Sequence, residues 1–205
     1  MATDAEPGNE FTVSRAIEMA VHAQRAGNPD VAAEIYRRIL TVWPECPDAL
    51  HFSGMLACQR GRNEEGMALV ARSLEVAPEH PDFWNNYGDL LKSQGRKAEA
   101  ADACRRAIAL RPDFADAHNN LGILLRSAGD FAAAESEYCA AIASQPAFAE
   151  AHFNLALLLI RSASPTPRAT LLQRSSRCVP RIQTQGDASR ASAGSRAGRR
   201  MRSAS

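Results

Sequence analysis

The chain has 205 residues, 45% of them hydrophobic and 23% charged, which is typical of a globular protein. Its longest apolar run, residues 155–160, is far too short to cross a bilayer, so we expect no membrane association. Residues 1–10 are acidic and lack the apolar core of a secretory signal, which favours a cytoplasmic protein.

Glycine and proline recur along the chain at a fixed interval of 34 residues. Glycine stands at Gly27, Gly61, Gly95 and Gly129, and proline at Pro44, Pro78, Pro112 and Pro146. Both residue types end helices, because glycine accepts the left-handed backbone of a helix end and proline cannot continue the hydrogen-bond ladder. Each interval is therefore predicted to hold two antiparallel helices, A and B. The fold class is predicted to be an all-α solenoid of stacked helix pairs.

The unit boundaries follow from placing the recurrent proline at position 32 of each unit. Residues 1–12 form an N-terminal extension, and the array spans 13–160, with units 13–46, 47–80, 81–114, 115–148 and a half unit 149–160. Small residues recur at positions 8 and 20, where we expect helices A and B to cross closely. Apolar residues at position 7, such as Met19, should face helix B, and Cys104 at position 24 should fill the core.

The pattern breaks inside the fifth unit. Pro165 and Pro167 interrupt the expected helix B, and Arg168 stands at position 20. Residues 161–205 carry ten arginines and one acid, against 14 basic and 22 acidic residues in 1–160. We predict a disordered, Arg/Ser-rich tail. It is either a basic arm, the only part of the chain expected to bind nucleic acid, or an out-of-frame or truncated end.

The unpaired helix over residues 149–162 should expose an apolar face. Leu157, Leu158 and Ile160 are expected on that face, because no helix B follows to cover them. An uncapped apolar end is a surface for self-association.

Asparagines and acids line the predicted groove of the A helices. Position 6 reads Asn86, Asn120 and Asn154, and position 5 adds Asn85 and Asn119. An amide has donors and an acceptor, so such a row can hold the backbone of an extended peptide. Asp82, Asp89 and Asp116 should bias that ligand toward basic side chains. The alternative is an ordinary solvated helix face.

Catalytic patterns are missing from the sequence. The histidines on the A helices, His51, His118 and His152, are expected to be packing residues, and no phosphate loop or metal-ligand spacing occurs. The five cysteines form no CxxC pair. We therefore expect no enzyme activity, no cofactor and no metal, and a protein or peptide as the partner.

These features together resemble the tetratricopeptide repeat (TPR) family. The resemblance lies in the small residues at 8 and 20, the apolar or aromatic residue at 24 and the proline at 32, and it covers residues 13–160. It implies a right-handed solenoid. The asparagine row, with phrases such as "RPDFADAHNNLGILL", is similar to the repeat region of SPINDLY-like O-GlcNAc transferases. That resemblance implies an alternative function, as the substrate-presenting part of a glycosyltransferase whose catalytic domain is absent from this chain.

Overall fold

The protein is described by a computed structural model that covers residues 7–162, with side chains over residues 13–160. This part contains nine α-helices and no strand. The helices are α1 (Pro7–Arg25), α2 (Pro29–Val42), α3 (Pro47–Gln59), α4 (Asn63–Val76), α5 (Pro81–Ser93), α6 (Lys97–Leu110), α7 (Ala115–Ala128), α8 (Phe131–Ser144) and α9 (Ala149–Ser162).

The helices stack as antiparallel pairs, which confirms the predicted all-α solenoid. The odd-numbered helices α1 to α9 are the A helices, and the even-numbered helices α2 to α8 are the B helices. The A helices α1, α3, α5 and α7 each pack most extensively on the B helix that follows, and each B helix contacts the next A helix. Helix α1 begins at Pro7, before the predicted boundary at Val13. The predicted disordered tail lies outside the described residues from position 163 onward.

The recurrent glycines make the turns between the A and B helices. Gly129 ends α7 with φ 88°, a left-handed conformation that side chains disfavour, and its N–H bonds to the carbonyl oxygen of Arg126 at 3.2 Å. Gly27, Gly61 and Gly95 have nearly the same positive φ. The 34-residue period therefore reflects one turn geometry used four times.

Small residues at positions 8 and 20 let each A helix touch its B helix. A Cβ atom on Gly54 would lie 2.6 Å from the carbonyl oxygen of Gly66, and one on Gly122 would lie 2.6 Å from the Tyr138 ring. Both distances are well inside van der Waals contact. The predicted close crossing is confirmed, and it leaves no room for even a methyl group at these two glycines.

Position 24 fills the space beside each crossing, as predicted. Cys104 is fully buried there, and burial raises the pKa of its thiol to about 12, so the thiol acts as a small hydrophobe. Tyr36, Val70 and Tyr138 occupy the same position and are equally buried.

The prediction that Met19 at position 7 faces helix B is wrong, because its side chain is 59% exposed. In the described part of the chain, no helix pair precedes α1 to cover this face.

The recurrent prolines have a second role that joins consecutive units. A ring N–H at position 4 lies against the carbonyl oxygen of the proline six residues earlier. The distances are 2.8 Å from Trp84 Nε1 to Pro78, 3.0 Å from His118 Nε2 to Pro112, and 2.9 Å from His152 Nε2 to Pro146. Tryptophan and histidine are interchangeable at this position because each provides a planar ring with a donor on its edge.

The A helices form the inner layer of the array. Contacts join α1 to α3, α5 to α7 and α7 to α9, whereas successive B helices within residues 7–162 make no comparable contact. Elements that touch lie on the inside of a curve, and elements that separate lie on its outside. The inner face of the A helices is therefore the concave side.

Helix α9 is covered on one side only. Leu155, Leu158 and Leu159 are buried against α7 and α8, so the expectation that Leu158 faces outward is wrong. The exposed large apolar residues of α9 are Phe153 and Ile160, with the exposed Ala156 and the partly covered Leu157 between them.

Candidate peptide-binding face

The asparagines of the inner face bond to one another across neighbouring A helices. The position-6 amide of one unit meets the position-5 side chain of the preceding unit. Asn154 Nδ2 donates to Asn119 Oδ1 at 3.0 Å, and Asn120 Nδ2 donates to Asn85 Oδ1 at 3.1 Å. A third contact spans the same 35 residues of sequence and joins Asn86 Nδ2 to His51 Nε2 at 3.0 Å.

Three of the five predicted asparagines are buried by this arrangement. Asn119 is 2% exposed, and Asn85 and Asn154 are each 6% exposed. Asn119 also donates to Glu150 Oε1 at 3.1 Å, so its donor and its acceptor are both used inside the chain. These three side chains join repeats, and the half-buried Asn86 and Asn120 are the two that reach the open inner face.

A polar cluster around Asn120 occupies the middle of the face. Its amide donates to Asp89 Oδ2 at 3.2 Å and accepts from Lys92 Nζ at 3.1 Å. Lys92 Nζ and Asp89 Oδ1 also form an ion pair at 2.5 Å. Asp89 therefore has its charge balanced locally, and Asn120 has its donor and its acceptor engaged.

The other two predicted acids differ from each other. Asp82 forms a bidentate ion pair with Arg111, in which the two terminal guanidinium nitrogens donate to Oδ1 at 3.2 Å and to Oδ2 at 2.5 Å. Asp116 is exposed, and its carboxylate has no partner within the described residues. Of the three acids proposed to attract a basic ligand, Asp116 alone is free to do so within this part of the chain.

His51 is the buried partner of the Asn86 amide. Its ring stacks on Phe83 with centroids 4.0 Å apart and is fully buried. Burial lowers the pKa of His51 to about 4; nearby Asp82 opposes this shift and His80 adds to it. The ring is therefore neutral at pH 7 and holds Asn86 in place.

His118 lies between two hydrogen-bond acceptors, and its pKa is shifted in the direction opposite to that of His51. Its Nδ1 lies 2.7 Å from Glu137 Oε2, and its Nε2 lies 3.0 Å from the Pro112 carbonyl oxygen. Both partners are acceptors, so both ring nitrogens need a proton. The hydrogen bond to Glu137 is the main reason that the pKa of His118 is raised, against the effect of burial. The contacts support the expected packing role.

Sequence reasoning missed the partners of the asparagines. His51, Lys92, Arg111 and Glu150 each complete a contact on or beside the inner face. For His51 the signal available in the sequence is its spacing, because it stands 35 residues from Asn86, the same separation as in the bonded amide pairs and one more than the repeat period. Lys92, Arg111 and Glu150 stand at other separations from their partners, so this signal does not mark them.

Neither a cluster of metal ligands nor a membrane-spanning helix is found among the residues that the structure describes. Over these residues, no group of three or more histidine, cysteine, aspartate or glutamate side chains could hold a metal ion. Likewise, none of the helices described is long and apolar enough to span a bilayer.

The chain belongs to the tetratricopeptide repeat family. One model of this repeat matches residues 17–75 and 53–115, and a second matches residues 103–136. An array of such repeats supports a role as a scaffold for protein interaction. A comparison with curated proteins finds no significant match.

Solved structures of repeat proteins share the fold at low sequence identity. The Pseudomonas aeruginosa pilF protein is 18% identical with TM-score 0.74, over 84% of this chain and 79% of that one. YrrB, described as a TPR protein with an unusual peptide-binding site, is 18% identical with TM-score 0.62, over 82% and 86%. A Thermobaculum terrenum O-GlcNAc transferase mutant is 24% identical with TM-score 0.61, over 69% of this chain but only 27% of that one.

The buried amide pair predicts a measurable loss of stability. Asn119→Ala or Asn154→Ala should each lower the free energy of unfolding by about 1–3 kcal/mol, because a buried amide then loses its partner. The double variant should lose less than the sum of the two, since both substitutions remove the same bond. Urea unfolding of the four proteins measures this coupling. The exposed Asn63→Ala is the control and should change stability by less than about 0.5 kcal/mol; strictly additive losses would contradict the bond.

His51 predicts a loss of stability in mild acid. Its folded-state pKa of about 4 lies below the ordinary 6.5, so the unfolded chain binds the proton first as the pH falls. The contribution is complete above pH 6.5 and should decrease by about 2 kcal/mol between pH 6.5 and 4.5. His51→Phe should remove this decrease, and His22→Phe, at an exposed histidine of α1, should retain it. Urea unfolding at several pH values tests this, and parallel pH profiles for all three proteins would refute it.

Proposed function

We propose that this chain is a non-enzymatic scaffold that binds an extended peptide along the inner face of its A helices. The supporting observation is that two groups there keep unused acceptors. Asn86 uses its amide nitrogen on His51, and its Oδ1 has no partner within the described residues. Asp116 has an exposed carboxylate, which also has no partner within the described residues.

The positions of these two groups suit an extended ligand. Asn86 lies on α5 and Asp116 on α7, which are neighbouring A helices in contact. Packed helices are separated by about 8–10 Å, and an extended chain covers that distance in about three residues. A peptide running across the A helices can donate a backbone N–H to Asn86 and place a lysine or arginine beside Asp116 about three residues away.

The remaining predicted site residues support the face indirectly. Asn154 donates to Asn119 and Asn120 donates to Asn85, and these two bonds fix the spacing of the A helices. Asp82 and Asp89 hold Arg111 and Lys92, and a ligand would have to compete with those ion pairs. We therefore assign direct ligand contact to Asn86 and Asp116, with Asn120 beside them.

A charge reversal at Asp116 tests the proposal. Peptides selected from a displayed random dodecapeptide library should be enriched in lysine and arginine, and fluorescence anisotropy then measures their affinity. Asp116→Lys should weaken binding at least about tenfold, because it replaces attraction with repulsion and costs about 1.4 kcal/mol or more. Asp116 is exposed and unpaired in the described part, but it lies in the first turn of α7, so the reversal should cost only about 1 kcal/mol of stability and leave the array folded.

Glu75→Lys is the matched control. Glu75 is an exposed acid on α4, a B helix of the outer layer, and the substitution makes the same change of net charge. Its affinity should equal that of the wild type. If both variants lose affinity equally, the peptides bind through net charge alone and the inner-face site is wrong. Failure to select any peptide would also count against it.

The match to an O-GlcNAc transferase favours a second candidate function. The chain aligns with 27% of that protein. In this alternative, the array presents protein substrates to a glycosyltransferase domain encoded beyond residue 160. Sequencing the gene and translating all three frames downstream of that codon distinguishes the two. An α/β domain pattern in another frame would favour this candidate, and its absence from every frame would remove it.

A further inference from the structure

An apolar stripe runs along the uncovered side of α9. It consists of Phe153, Ala156, Leu157 and Ile160, which we call the terminal stripe. Phe153 is 62% exposed and Ile160 is 65% exposed, and Ala156 is exposed between them. The spacing i, i+3, i+4, i+7 places all four on one face of the helix.

Earlier units indicate what kind of element covers such a stripe. Ala156 stands at position 8, where Gly122 of α7 lies directly against the Tyr138 ring of the antiparallel helix α8. The terminal stripe is thus shaped to receive an antiparallel helix that places a bulky side chain over Ala156. In the unit of α9, no such helix is present among the described residues.

The sequence beyond α9 does not have the pattern of a B helix. Other units carry alanine or glycine at position 20, whereas this unit carries Arg168, preceded by Pro165 and Pro167. A large charged side chain cannot replace the small residue required at a helix crossing. The chain's own continuation is therefore a poor match to the stripe.

We propose that the terminal stripe binds the same stripe of a second copy, forming a two-fold symmetric dimer through antiparallel α9 helices. With the symmetry axis between positions 156 and 157, Phe153 lies against the partner's Ile160, and Ala156 lies against the partner's Leu157. The stripe is self-complementary, as a two-fold interface requires, because each large side chain meets a different residue of the same set.

The charges at the two ends of α9 are complementary in this arrangement. Glu150 lies in the first turn, and Arg161 follows Ile160 at the other end. Antiparallel pairing brings the acidic end of each helix to the basic end of its partner, and it also opposes the two helix dipoles favourably. Parallel pairing would bring like charges together.

Sedimentation velocity of the 205-residue chain, at protein concentrations from about 1 to 100 μM, tests for a dimer with a dissociation constant in that range. The wild type should shift from monomer to dimer and no further. Phe153→Glu with Ile160→Glu should raise the dimer dissociation constant by at least tenfold. Both side chains are exposed, so circular dichroism should show an unchanged helical array.

The opposite end of the array supplies a matched control. Met19 and Val31 are exposed apolar residues there, at 59% and 53%, and Met19→Glu with Val31→Glu introduces the same charges. This control should dimerise like the wild type. A wild type that stays monomeric, assemblies larger than a dimer, or loss of dimer in the control instead of the α9 variant would each overturn the proposal.

Discussion

The close crossing of each A helix with its B helix is the contact on which the array depends. At the Gly54–Gly66 and Gly122–Tyr138 crossings, the space is too small for an added methyl group. This proximity lets the buried side chains of position 24 touch both helices of a pair. A solenoid has no central core, so its stability is the sum of these pair contacts and the contacts between neighbouring units.

Polar side chains carry much of the contact between neighbouring A helices. Amides bonded in pairs, such as Asn119 with Asn154, can be buried because the donor of one meets the acceptor of the other. Their geometry is directional, so it fixes the offset between helices more strictly than apolar packing would. The inner face is thereby divided into groups that hold the repeats and groups, such as Asn86 and Asp116, that remain open to a ligand.

Apolar helix faces that are covered within a repeat array are exposed at its ends. Helix B of each complete unit covers one apolar side of its helix A, so positions that are core in α7 are surface in α9, which no B helix follows among the described residues. Gly122 is covered by Tyr138, whereas Ala156 at the same position is exposed. The exposed terminal stripe of α9 therefore arises from the same helix pattern that forms the core of the earlier units.

The helix pairs, the turns between them and the residues at each crossing could be predicted from the sequence, because glycine, proline and small residues act on the chain within a few positions. The start of α1 at Pro7, before Val13, could not. The sequence also predicted which residues belong to the inner face, including all five asparagines. The burial of Asn85, Asn119 and Asn154 followed only from the packed helices, as did the finding that, within the described residues, Asp82 is paired and Asp116 is not. The tertiary structure likewise decided that Leu158 of α9 is buried while Phe153 is exposed. The physical reason is that these partners lie on different helices about one repeat apart, and an asparagine in a sequence is the same whether its amide meets water or another amide.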